Sequence, residues 1–313
     1  MLAVGGPRVR GLRSITWIRA DLRWRQTAYR PVTCRLVTTD GAALAAVLRT
    51  ESGRLCQLLA AGADVGRPVP GLDWTVAEVA AHLLSVYGVF GSAVAGEDVS
   101  SLFAETPDSA ALAERIAAVN DFAVARLTVD DPVEASAALA AAADRLASAI
   151  EAHPDLAQTI ATPWYGSTTT HEVATVAALA GSETLVHTLD IARGLGVRHR
   201  LSAASAAVVT PIVFAKMLPY TVDPRAARGV TVRYEVRLRG AARLRVAIED
   251  GVATAGPAGS GPIDCVLSVT PTAALLTGFG RRPVWRAVVA GQSFAYGRKP
   301  WLGPQFPHFF RHP

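Results

Sequence analysis

Residues 171–196 read HEVATVAALAGSETLVHTLDIARGLG, and their spacing predicts an amphipathic helix that decides how the rest of the chain is arranged. Glu183 and His187 are four residues apart. On a helix, such residues stack on one face with Cβ atoms about 5–6 Å apart, so one ion could take both side chains. At 100° per residue Val176, Leu179, Ala180, Asp190 and Ile191 cluster around that face, which therefore reads as buried. An ionised carboxylate left unpaired in an apolar interior costs several kcal/mol, so Glu183 needs a cationic partner there. Two solutions fit the spacing: an Arg or Lys from a neighbouring helix with His187 merely filling core space, or a metal ion.

Upstream, Leu44, Val47, Leu48, Leu55, Leu58 and Leu59 recur at helical spacing between Thr39 and Gly62, with Thr39 or Asp40 as cap. The turn-rich Arg67-Pro68-Val69-Pro70-Gly71 leads to a second helix, capped at Asp73 or Thr75, with Glu78 placed to complete a capping box from Thr75. His82 lies on the edge of its apolar stripe of Val76, Val79, Ala80, Leu83, Tyr87 and Phe90. Further helices are expected over about 109–127 and from Pro132 to Ala152, with Pro132 at a first helical position. The loop around Trp164 then runs through a Thr-rich cap into the helix, with His171 opening it. The fold class read from this order is an antiparallel four-helix bundle over 39–200, followed by a small α+β domain over 201–313. The second domain rests on helical spacing over 201–218, alternation at Val230–Leu238 and Leu244–Ile248, an Asp250-Gly251 hairpin turn, a strand at Ile263–Val269, a helix at Pro271–Phe279, and strand and turn material at Trp285–Tyr296.

Bulk properties narrow the function classes. The net charge of +5 is misleading, because between Met1 and Leu36 eight Arg face the single Asp21. The remainder is close to neutral, which argues against a nucleic-acid partner. The Arg-rich leader, residues 1–38, reads as a disordered tail or the product of an early start codon, because it lacks the uninterrupted apolar core of a secretory signal. No apolar run reaches about 18 residues without a charge or Pro, so no membrane span is expected. Cys34, Cys56 and Cys265 are odd in number and scattered, a reduced, cytoplasmic pattern. No nucleophile elbow or Cys–His pairing of known spacing is present.

Bundle cores are where metal and cofactor sites are built from facing helices. His82 from one helix with Glu183 and His187 from another would make a three-ligand site with a fourth position open. The segments Trp74-Thr75-Val76-Ala77-Glu78-Val79-Ala80-Ala81-His82-Leu83 and Glu183-Thr184-Leu185-Val186-His187-Thr188-Leu189-Asp190-Ile191-Ala192 resemble the two signature segments of the mycothiol-dependent maleylpyruvate isomerase family, within the DinB-like metalloenzyme bundles. The part from about Leu201 is similar to the sterol-carrier-protein-like domain that follows the bundle in many members. The resemblance implies His82, Glu183 and His187 as ligands of a divalent metal, zinc being the first expectation, with nickel, iron or manganese also accommodated. It implies mycothiol as the thiol cofactor, activated by the metal for addition to a small electrophilic substrate, with isomerisation or S-transfer as the outcome. The Arg-rich, Lys-poor composition, with two lysines in the whole chain, agrees with an actinobacterial source of that thiol.

Asp190 is then a candidate to orient a ligand or the metal-bound group, against an ordinary ion pair with Arg193. Arg281 is a candidate to bind a carboxylate of substrate or thiol, against a solvated loop arginine. Trp74 and Trp164 are candidates to wall the cofactor cleft, against plain aromatic packing. Two rival functions remain: an apolar-ligand-binding protein with a structural or vestigial metal, and a metal-dependent hydrolase. Monomer and homodimer are not separated.

Overall fold

The computed structural model describes residues 40–104, 106, 112–127 and 129–311; the Arg-rich leader and the start of the expected helix near Ser109 lie outside them. The described residues form a mixed fold of several helices followed by a sheet. Helices α1 (Gly41–Ala60), α2 (Val76–Val94), α3 (Leu112–Val124) and α4 (Pro132–Ala152) come first. A two-stranded hairpin of β1 (Thr159–Ala161) and β2 (Thr170–Glu172) then leads into α5 (Val173–Gly194) and α6 (Ala203–Thr221). Asp40 caps α1 through its side chain, Thr75 and Glu78 form the capping box of α2, and Asp131 caps α4 ahead of Pro132. Helices α1 and α2 each pack on both α4 and α5.

Two details depart from the expectations for the deciding stretch. His171 sits in β2, opposite Ile160, so the helix starts at Val173, and its N-cap Glu172 makes no capping bond. Residues held extended by a strand partner cannot join the helix, whatever their spacing. Second, α5 is not amphipathic: every residue except Glu183 and Arg193 is buried. Its many Ala, Ser, Thr and Gly residues let α1, α2, α6 and α7 (Pro271–Gly278) approach from several sides. At Gly181 an added Cβ would lie 2.9 Å from Val209 Cγ1, and at Gly194 2.7 Å from Val76 Cγ2.

The sheet comprises β3 (Thr231–Leu238), β4 (Ala242–Glu249), β5 (Val252–Pro257), β6 (Cys265–Val269) and β7 (Ser293–Tyr296) in the order β5-β4-β3-β6-β7. Only β3 and β6 run parallel. Asp250 and Gly251, both at positive φ (44° and 86°), make the two-residue turn between β4 and β5 that such a pair favours. Where strand material was expected from Trp285, the chain instead forms a short helix, α8 (Val284–Val289), before β7. A 3-10 helix, Pro300–Phe309, closes the chain's described end.

Helix α6 joins the two layers. Val209, Ile212 and Val213 belong to the helical core, while Ala215 belongs to the core under the sheet. By length and composition α2 and α6 could each cross a bilayer, but 56% and 44% of their apolar windows are buried inside the protein, and α2 carries Glu78 and His82.

Candidate metal centre

His82 reaches the site from α2, and Glu183 and His187 reach it from α5. Glu183 Oε2 lies 3.5 Å from His82 Nε2 and 3.1 Å from His187 Nε2. One ligand atom from each residue falls within 4.8 Å of the others. The imidazole rings meet edge to face with centroids 4.9 Å apart. The side chains of the histidines are 7% exposed and that of Glu183 21%, so the triad opens on the side of the carboxylate.

The electrostatics show a site that demands positive charge. Burial alone would raise the Glu183 carboxyl, but the neighbouring imidazoles of His187 and His82 override it and hold it well below the usual range. Burial likewise works against a charged His187, yet Asp190 at Nδ1 (3.0 Å) and Glu183 at Nε2 push it up to about 9. His82 is lowered by burial, and its Nε2 is a buried nitrogen with no hydrogen-bond partner. Without an ion, the proton on His187 supplies the missing cation. The donor set of two imidazole nitrogens and one carboxylate oxygen, one nitrogen lacking any other partner, fits a borderline divalent ion.

Behind the triad lies a second layer. Asp190 accepts from His187 Nδ1 and from Arg281, whose Nε lies 3.1 and 3.0 Å from the two carboxylate oxygens and whose Nη2 is 2.9 Å from Oδ2. Arg193, the expected ion-pair partner of Asp190, is 3.9 Å away. Arg281 Nη1 donates to the Phe279 carbonyl, so the carboxylate this arginine grips is the protein's own and not a ligand's. The turn that delivers it depends on Gly280 at φ 68°, a conformation that favours glycine.

The two tryptophans separate. Trp74, held by the Val69 N–H to Trp74 carbonyl bond (2.8 Å), lies over the imidazoles with its ring 5.4 Å from His82 and 6.5 Å from His187. Trp164 stacks on Phe90 at 4.7 Å and packs on Phe103, away from the triad. Its neighbour Tyr165 takes the cleft position instead: with Glu183 it lines an apolar cleft of about 190 Å³ between α3, α5, α6 and the sheet. The aromatic pair in the Thr162–Ser167 loop was visible in the sequence, but which ring turns inward was not.

Helix register is set by contacts that motif spacing did not reveal. Thr184 Oγ1 donates to the Ala180 carbonyl (2.7 Å), so the 2.8 Å bond between it and Tyr87 has the phenol as donor, tying α2 to α5 one residue from Glu183. Gly194 lets the end of α5 close on Val76 and Val69 at the start of α2. Neither described cysteine belongs to the triad or lines the cleft. Burial raises both thiols; Cys56 bonds the Ser136 carbonyl and Cys265 lies in the sheet core.

Residues 45–192 match the mycothiol maleylpyruvate isomerase N-terminal domain, a span that contains the triad and Asp190. No curated protein matches the sequence significantly. Among solved structures, the mycothiol-dependent maleylpyruvate isomerase is similar at 12% identity and a TM-score of 0.44, and its histidine-to-alanine mutant at 11% and 0.47; each comparison covers 83% of this chain and 96% of the other. The sec-alkylsulfatase Pisa1 from Pseudomonas sp. is similar over 44% of this chain and 25% of its own, at 15% identity and a TM-score of 0.31. Residues 45–192 are thus identified as a mycothiol maleylpyruvate isomerase N-terminal domain.

Proposed function

We propose that this chain is a metal-dependent, mycothiol-using isomerase or S-transferase acting on a small electrophilic molecule, with His82, Glu183 and His187 as metal ligands. The observation that carries this reading is the unpartnered, buried Nε2 of His82 beside Glu183 Oε2 and His187 Nε2, open towards a cleft. A divalent ion bound there, zinc as the first expectation, supplies Lewis acidity that lowers the pKa of a thiol or water. Asp190 accepts a hydrogen bond from His187 Nδ1–H, which would leave Nε2 as the atom that ligates the ion. Arg281 keeps Asp190 anionic, and is thus a positioning residue. Trp74 covers the imidazoles and limits the water that reaches them.

The attacking sulfur is borrowed, since neither described cysteine belongs to the triad or lines the cleft, and the family name points to mycothiol as its source. In this reading α1, α2, α4 and α5 are the DinB-like antiparallel four-helix bundle and the rest is the sterol-carrier-protein-like domain. The protein works on a small molecule in the cytoplasm, with no nucleic-acid partner, as a monomer or homodimer.

The test is elemental analysis of protein purified without chelator, followed by incubation with mycothiol and a panel of electrophiles under mass detection. The wild type is expected to carry about one ion per chain and to give isomers or thiol adducts, and His82→Ala to lose both. Full metal content in His82→Ala sinks the three-ligand site. Turnover that proceeds equally well without thiol makes the protein a hydrolase instead.

A further inference from the structure

Resting on the proposed function, the chemistry of the cleft names the class of substrate. It runs from the triad, where Glu183 forms part of its wall, between α5 and α6 on one side and β3, β6 and α7 on the other. Its walls are side chains such as Leu179, Phe214, Met217, Val236, Leu267 and Phe306. Among the described residues that line it, Arg311 is the one cation and Glu183 the one anion. Arg311 is 48% exposed and its Nε binds Asp223 Oδ2 at 3.0 Å.

The two threonine hydroxyls of the cleft are used locally. Thr277 donates to the carbonyls of Ala273 and Ala274, and Thr221 to that of Leu218. The cations nearest the triad and the Tyr165 loop are engaged as well. Arg281 holds Asp190, Arg115 donates to the carbonyls of Trp164, Pro163 and Thr106, and Lys216 pairs with Glu172 at 2.8 Å. A substrate carboxylate placed beside Glu183 would lose its water and meet the Glu183 carboxylate, and among the described lining residues the only cation to offset this is Arg311, already paired with Asp223.

We propose that the cleft takes an uncharged, apolar electrophile, such as an enone on an alkyl or aryl chain, and discriminates against carboxylated substrates. Addition of a thiol to such an enone forms one S–C bond at the β-carbon and places the thiol proton on the α-carbon, so no reactant beyond the thiol is needed. Met217 and the two phenylalanines give walls that adapt to chains of different shape.

The experiment uses the full chain and two enones that share a reacting group, trans-3-nonen-2-one and trans-4-oxo-2-pentenoate. Both compete against the neutral fluorophore N-phenyl-1-naphthylamine, without thiol. The alkyl enone should displace it at a concentration at least about 100-fold lower than the carboxylated one. Met217→Trp, which fills the cleft, should weaken the fluorophore by more than about 10-fold; Met217→Lys, which supplies a cation, should narrow the gap between the enones. Failure of the fluorophore to bind, equal competition, or preference for the carboxylated enone overturns the proposal. Turnover with mycothiol and metal separates the two readings. No turnover of either enone with the displacement order intact sinks the mycothiol enzyme and leaves the apolar cleft standing, whereas preferred turnover of the carboxylated enone sinks the cleft.

Discussion

Two glutamates in the helical layer meet the same problem in different ways. Glu51 of α1 is fully buried, and it is met by Arg54 one turn along its own helix (2.7 Å) and by the Ser205 hydroxyl of α6 (2.5 Å). Glu183 of α5 is met by two imidazoles from two helices and keeps a face on the cleft. The arginine solution considered for Glu183 from sequence is therefore present in this protein, but at Glu51. A guanidinium is a permanent cation that neither exchanges nor leaves. A pair of imidazoles can hold a proton, an ion or neither, so the positive charge at Glu183 is replaceable. Burial of a carboxylate does not by itself mark a site; an exchangeable partner with access to a cleft does.

The largest effect should come from testing that difference directly. Zinc in about 1,000-fold excess over its dissociation constant should stabilise the metal-free wild type by about 4 kcal/mol, a rise in melting temperature of roughly 10 °C for a chain of this size. Glu51→Gln should lower stability by about 1–2 kcal/mol, because it removes the anion from a half-exposed Arg54, yet keep the full zinc-induced rise. Glu183→Gln should do the reverse: the metal-free protein loses little, since Asp190 still holds His187, while the zinc-induced rise disappears. A rise that survives Glu183→Gln, or vanishes in Glu51→Gln, erases the distinction.

Which half of this was legible in the sequence follows from the range of each interaction. His82, Glu183 and His187 could be brought together because each lies in a long helix whose spacing is explicit and whose flanking motif is local. The Arg281 contact with Asp190 spans 91 residues, and the link joins an arginine in a glycine turn to a carboxylate whose nearer arginine, Arg193, was the obvious partner. The turn of Tyr165, rather than Trp164, into the cleft depends on a hairpin with three-residue strands, too short for a period to show. Helix α8 reads as a strand from Val284, Trp285, Val288 and Val289, but tertiary context overrides that propensity, with only Ala287 buried. The burial of α5 on all sides was concealed by its alanines, which score as weakly apolar on every face.

The same contrast holds between two histidines and sets the next effect. Carboxylates on both nitrogens keep His187 charged. His171 is buried against Thr162 (2.8 Å), Tyr165 and Tyr220, with its Nε2 unpartnered. Burial, aided by the charge of Lys216, brings it down to about 4 from an ordinary 6.5. Between those values the unfolded chain binds the proton and the folded one does not, so stability rises with pH across that window and is level above it. The contribution of His171 should reach about 3 kcal/mol at 1.4 kcal/mol per unit. It is read as the difference between denaturation profiles of wild type and His171→Leu from pH 4 to 7. A flat difference profile would mean that the folded protein accommodates a charged His171, and the contrast with His187 would fall.

The smallest effect concerns what holds Glu183 in place, and it sharpens the comparison with Glu51. Glu51 has its arginine partner on its own helix, so that ion pair does not depend on helix register. The triad spans α2 and α5, so its geometry does, and the Tyr87 to Thr184 bond is the buried polar tie between them at that level. Tyr87→Phe keeps the ring and removes only the donor, leaving Thr184 still bonded to Ala180. One hydrogen bond between neutral groups contributes about 1 kcal/mol, and the close packing of Gly194 on Val76 holds the same pair of helices independently. Tyr87→Phe should therefore lower stability by about 1 kcal/mol and weaken zinc by only a few-fold. Thr184→Val also removes the bond to the Ala180 carbonyl and orphans the buried Tyr87 phenol, so it should cost more, and the double variant should cost less than the sum of the two, because their shared bond is lost only once. Additive losses would show that the two hydroxyls act separately. Zinc binding abolished by Tyr87→Phe alone would show that this bond, rather than the packing of α5 on its neighbours, sets the geometry of the triad.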